Sequence, residues 1–238
     1  MAEGRAALST VPSAVSGGTD PAATAGRSKQ RAVINVVDEA DDYARNVNGV
    51  AIEAIRLGQG FGPNTIRSTR VRNTIANSNT IRFPMATHAT IGDDRVLAAA
   101  VTAAPRGTRW CGMGVTPGMV VVYGPGAEHT GLNPVGLDFQ FALVPAAKLE
   151  ERAEEIGSRL RMPERGQVHA LNPSLESGVL HRTLGSITEM AKQGVKAARI
   201  EDTVVNSVVG ALADDRRLRR IGARKAIDSR ALTRQCLD

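Results

Sequence analysis

The stretch Leu137–Gly157, LDFQFALVPAAKLEERAEEIG, changes period part-way along, and that change decides the fold class. From Leu137 to Leu143, apolar residues alternate with polar or small ones, the period of a strand with one buried face. Beyond Pro145 the apolar positions are Leu149, Ala153, Ile156 and Leu160, spaced i, i+4, i+7 and i+11, which is one stripe of a helix. Proline is tolerated in a first helical turn, so Pro145 or its neighbours can start that helix. The boundary separates a β-rich part, residues 31–145, from a helical part, residues 146–215, and the expected class is α+β.

On the N-terminal side of the boundary the strand signals repeat. Phe83, Met85, Ala89 and Ile91 share a parity, and Gly92-Asp93-Asp94 follows as a turn. Arg95–Thr102 is an apolar run, and Met119–Tyr123 is a short β-prone run closed by Gly124-Pro125-Gly126. Asp38–Tyr43 is expected to form a short helix. Gly58–Pro63 is glycine-rich but lacks the lysine of a phosphate loop, and reads as a turn between strands. Many short strands punctuated by Gly and Pro predict an antiparallel β-barrel or sandwich.

On the C-terminal side, Asn172-Pro173 has the form of an N-cap and first helical residue, and Gly194 that of a stop. Leu180, Leu184, Ile187 and Ala191 make one stripe, and Ile200, Val204, Val208 and Leu212 another. From these stripes Leu180, Leu184, Ile187, Val204, Val208 and Leu212 are expected to form a dimerisation face, giving a homodimer. A further basic helix is expected from about Ala223.

The ends differ in composition. Residues 1–30 are rich in Ala, Gly, Ser and Thr, too poor in apolar surface to offset chain entropy, and are expected to be a disordered tail. The net charge of the 238 residues is +6. Residues 216–238 hold eight basic and two acidic side chains and supply all of it, while residues 1–215 balance at 22 of each sign. The body is therefore no general polyanion binder, and only this basic stub could be. No apolar run reaches the roughly 18 residues of a membrane helix, and the N-terminus is no signal peptide; a cytoplasmic protein without membrane contact is expected. Cys111 and Cys236 lie far apart, with no zinc-type spacing.

The most specific local feature is Gly118–Asn133, GMVVVYGPGAEHTGLN. It resembles the second conserved motif of cupin barrels in the spacing of Gly118, Gly126, His129 and Asn133, with Pro125 displaced by one position. Read physically, it is a strand, a tight turn that needs glycine, and a return strand presenting His129 inward or at the rim. Metal-binding cupins add an upstream HxH, which this chain lacks, so neither a metal nor another cofactor is expected. GxSxG, Walker, GxGxxG and HExxH patterns are absent too, and no catalytic residues are assigned. Aromatic residues make up only 3% of the chain. Trp110, Tyr123, Phe139 and Phe141 nevertheless gather near the last strands, and with His129 and Arg70 they are the candidate lining of an effector pocket. Arg67, Arg70 and Arg72 lie on one expected strand and could hold an anion or face solvent.

The order of these features resembles a family. Asp38–Gly157 is similar to the effector-binding domain of one branch of AraC/XylS-type transcriptional regulators, through DEADDYARNVNG, IEAIRLGQG, TIRSTRVRN, RWCGMGVTPGMVVVYGPGAEHTGLNP and LDFQFALVPAAKLEERAEEIG. Residues 172–215 resemble the family's linker and dimerisation helices. The resemblance implies a cupin-like domain that binds an unknown small molecule, dimerises through helices and is not an enzyme. It also implies a C-terminal pair of helix-turn-helix units that reads DNA, and the sequence is expected to stop short of that module. DNA contact would then come only through the missing module, or weakly through the basic tail. Two other readings stay open: a cupin-type small-molecule enzyme, and a dimerisation fragment that interferes with full-length regulators.

Overall fold

The computed structural model describes residues 31–213 and 218–221. The expected disordered tail and the expected helix from Ala223 lie outside the described residues, as does most of the basic stub.

In chain order the elements are β1 (Arg31–Val37), α1 (Ala40–Asn46), β2 (Ala51–Arg56), β3 (Asn64–Val71), β4 (Thr74–Thr80), β5 (Met85–Thr90), β6 (Arg95–Ala103), β7 (Arg109–Trp110), β8 (Met113–Gly114), β9 (Val120–Tyr123), β10 (Glu128–Asn133), β11 (Asp138–Pro145), α2 (Ala146–Glu155), β12 (Val168–Leu171), α3 (Leu175–Lys192), α4 (Ala197–Leu212) and β13 (Leu218–Ile221). They form an eight-stranded sheet, β1-β3-β4-β11-β6-β9-β12-β13, and a five-stranded sheet, β2-β5-β10-β7-β8. The two sheets stay separate in their hydrogen bonding, so the expected barrel or sandwich is the open sandwich.

Side-chain alternation on the central strands builds three layers. On β6, Leu97, Ala99 and Val101 join a core between the sheets, while Val96, Ala98 and Ala100 join a second core with the helices. Tyr123 and Val121 on β9, and Phe141 and Leu143 on β11, point the first way; Val120, Val122, Ala142 and Val144 point the second. Period two is thus preserved on strands buried on both faces. The alanines on the helix side let α3 and α4 lie close against the sheet.

That packing corrects the dimerisation reading. Leu180, Leu184, Ile187, Val204, Val208 and Leu212 are all buried within one chain, in the core that also holds Val71, Val96 and Val144. The stripes belong to the intrachain layer and give no argument for a second copy. Nor does the α2 stripe extend as expected. The helix ends at Glu155, Gly157 takes a left-handed φ of 66°, Ile156 is exposed, and Leu160 bridges to Ala213 beyond the helix. For α3 the cap is Ser174, one residue after Pro173, in a reciprocal capping box with Ser177. β12 was not expected within the helical part; it pairs with β9, and all four of its residues are buried.

One charged group lies inside this second layer. Glu201 on α4 is 1% exposed and takes Lys148 Nζ at 2.5 Å from α2, Arg72 NH1 at 3.4 Å and the Thr74 hydroxyl at 3.2 Å. Both cations keep access to water, so the cluster clamps two helices to the β3–β4 turn and keeps the carboxylate paired.

Candidate functional site

The sandwich core is not filled at one place. A cavity of about 50 Å³ lies between the sheets. One wall comes from the large sheet: Leu97 and Ala99 on β6, Tyr123 on β9, and Phe139 and Phe141 on β11. The facing wall comes from the small sheet: Ile52 on β2, Thr87 and Ala89 on β5, Trp110 on β7, and His129 and Asn133 on β10. Tyr43 and Val47, from α1 and its end, close the third side with Val50.

The cupin-like motif places two of these strands, but not as a hairpin. β9 belongs to the large sheet, and β10 pairs with β5 and β7 in the small one. The Gly124–Gly126 turn therefore carries the chain from sheet to sheet. A Cβ on Gly124 would lie 2.4 Å from the Glu164 carbonyl oxygen, so glycine is required there. The crossing brings Tyr123, the last residue of β9, against His129 near the start of β10.

The polar groups of the cavity form one chain. Trp110 Nε1 can only donate, and it donates to Asn133 Oδ1 at 2.9 Å. The Asn133 amide then donates to Thr87 Oγ1 at 2.9 Å. Thr87 Oγ1 lies 3.3 Å from His129 Nε2, and His129 Nδ1 lies 2.8 Å from the Tyr123 hydroxyl, so each ring nitrogen of His129 meets a hydroxyl that can donate or accept. Tyr123 in turn hydrogen-bonds Cys111, and the Cys111 thiol points to the Glu128 carbonyl at 3.6 Å. With a neutral imidazole each donor in this chain has an acceptor.

Electrostatics favour the neutral ring. Burial, and secondarily the neighbouring His88, push His129 down to about 4 from an ordinary 6.5. Burial also raises the Cys111 thiol above its usual range, and burial with Cys111 raises Tyr123 well above its own. At neutral pH the site is uncharged and its thiol is protonated, a poor nucleophile. Both ring nitrogens of His129 are engaged by protein hydroxyls, and among the described residues no three His, Cys, Asp or Glu side chains converge as metal ligands.

Of the candidate lining residues, Trp110, Tyr123, His129, Phe139 and Phe141 do come together at this cavity. Trp110 contacts Phe139 and His129 edge to face, with ring centroids 5.1 and 5.7 Å apart. Arg70 does not join them: it is exposed near the end of β3, and Arg67, three residues away, points to the opposite face. Thr87 and Asn133 were missed as site residues, although both carried a signal. Thr87 has the parity of Phe83, Met85, Ala89 and Ile91, a polar residue on an apolar face, and Asn133 ends the quoted motif. Tyr43 had no such signal, because nothing in the sequence brings the short helix over the cavity.

Gly131 makes the polar chain possible. It lies between His129 and Asn133 on β10 and opposite Thr87 on β5. A Cβ there would meet His129 Nε2 and Thr87 Oγ1 at 2.7 Å each. Gly131→Ala is expected to cost about 2 kcal/mol by overpacking and to shift the emission of Trp110. Urea unfolding followed by fluorescence measures both effects.

The fold is similar to that of a solved protein described as the AraC-like transcriptional activator CuxR. The TM-score is 0.50 at 13% identity, over 78% of this chain and 72% of that chain. At such identity the likeness is one of fold: a mostly antiparallel β structure with packed helices, as seen in an AraC-like regulator. Neither a scan against protein-family models nor a search of curated protein sequences gave a match. No helix among the described residues is long and apolar enough to cross a membrane.

Proposed function

We propose that this chain is the regulatory, effector-binding part of an AraC-type transcriptional regulator, and that the cavity between its sheets takes a small uncharged effector. The observation that carries the reading is the cavity itself: an interior space with aromatic walls and a neutral, internally satisfied polar chain. An AraC-like fold supports the same reading. In such a regulator a helix-turn-helix module contacts DNA, and a homodimer would form through surfaces other than the inward faces of α3 and α4. A hydrolase or oxygenase reading lacks support: the site offers neither a thiolate nor a free imidazole nitrogen.

Ligand sites usually enclose roughly 300–1,000 Å³, far more than the ≈ 50 Å³ present here. An effector of more than a few heavy atoms therefore has to displace part of the wall. Trp110 is the only tryptophan of the chain and it lines the cavity, so its fluorescence reports on the site directly. In a screen of small uncharged aromatic compounds, a true effector is expected to raise the melting temperature and shift Trp110 emission together. At a hundred times its Kd it would add about 2.7 kcal/mol to stability by mass action. Stabilisers that leave Trp110 emission unchanged would place the binding site elsewhere and count against this reading.

A further inference from the structure

Among the described residues, two of the buried side-chain atoms without a hydrogen-bond partner lie beneath α1, not at the His129 end. Asn77 and Asn79 lie on β4, directly across from Phe141 and Phe139 of the cavity wall, on the face that α1 covers. Both are buried, at 3% and 1% exposure. Asn79 Oδ1 accepts from the Tyr43 hydroxyl at 3.2 Å, but its amide nitrogen has no partner. Asn77 donates to the Asn48 carbonyl at 3.4 Å, the limit of a hydrogen bond, and its Oδ1 has no partner. A buried polar atom left unpaired is costly, and here one is a donor and the other an acceptor. Tyr43 has one hydroxyl and serves only one of the four side-chain amide atoms of Asn77 and Asn79.

The covering element is weakly held. α1 has seven residues, no side-chain cap at its N-terminus, and buries only Ala40 and Tyr43. Tyr43 is the larger of its two buried anchors, so removing that side chain frees most of what holds so short an element. Displacing Tyr43 would join its volume to the cavity and expose both asparagines to it.

We propose that the cavity extends beneath α1 when Tyr43 gives way, and that Asn77 and Asn79 there hold the polar end of an uncharged ligand bearing a carboxamide-like group, which accepts from Asn79 Nδ2 and donates to Asn77 Oδ1. This rests on the reading of the cavity as an effector site. The ligand's apolar body points toward Trp110 and Phe139, where the polar groups are already paired with each other. Neutral Asn48 and Ser68, hydrogen-bonded to each other at 2.9 Å, complete the polar surround and offer nothing to a charged group.

The test uses the full 238-residue chain. Tyr43→Ala opens the compartment, and benzamide and toluene are titrated into it with Trp110 fluorescence and ligand-observed NMR as readouts; Tyr43→Leu replaces it if the alanine variant does not fold. Adding Asn79→Leu is expected to lower the benzamide-to-toluene affinity ratio about tenfold, the size of one lost hydrogen bond of about 1.4 kcal/mol. An unchanged ratio overturns the compartment while toluene binding leaves the effector cavity standing. Benzoate binding as tightly as benzamide overturns the uncharged ligand class. Failure of both benzamide and toluene to bind the opened variants overturns the cavity reading and this inference together.

Discussion

Ile187→Asp is expected to unfold the chain, where the same change on a subunit interface would leave a folded monomer. Ile187 is 1% exposed and faces the large sheet from α3, in one core with Leu180, Leu184, Val204 and Val208. Aspartate there loses the transfer free energy of the isoleucine, leaves a cavity, and puts a carboxylate into an apolar layer. Together these cost at least about 4 kcal/mol, a large part of the 5–15 kcal/mol typical of a whole domain. The control is on the outer face of the same helix. Leu175 and Val179 are 76% and 41% exposed, and aspartate at either is expected to change stability by about 0.5 kcal/mol or less. Circular dichroism with size-exclusion chromatography separates the outcomes. A folded, smaller species from Ile187→Asp would return α3 to the role of a dimer interface.

The contrast between those two faces shows how far sequence carries. Period two in Leu137–Leu143 and the helical stripes after Pro145 gave the element types and their order, because a strand or helix face must be apolar wherever it is buried. What periodicity leaves open is the identity of the partner surface: a stripe that packs on a sheet reads the same as one that packs on a second copy. β12 was illegible for a related reason. It is short and buried on both faces, so Val168-His169-Ala170-Leu171 has no alternation to read. At the site, the aromatic residues were legible because so few exist in the chain. The role of His129 was only half legible. Its place near a turn followed from the glycines around it, but its neutral state follows from burial between the sheets, where Thr87 and Trp110 come from two other strands. Arg70 shows the reverse case: it is a charged residue exposed on β3, a strand that does not line the cavity.

Acid is expected to weaken the fold through His129, by about 3 kcal/mol between pH 6.5 and pH 4 at most. The imidazole titrates near its ordinary 6.5 in the unfolded chain and at about 4 in the folded one. Between those values the unfolded state binds the extra proton and the folded state does not, so stability rises with pH through the window and is complete above 6.5. It is lost as pH falls toward 4. His181, also lowered by burial although its bond to the Gly118 backbone opposes the shift, adds to the same slope. Glutamine at position 129 can still bridge Thr87 and Tyr123 but cannot titrate. His129→Gln should therefore flatten the pH dependence of the unfolding free energy between 4 and 6.5, and an unaltered slope would contradict a buried, neutral His129. NMR of the wild-type imidazole at pH 5.5 should find it neutral. The consequence for ligand binding follows from the same chemistry: between pH 6 and 8 no group lining the cavity changes charge, so an effector whose affinity varies over that range must itself carry the titrating group.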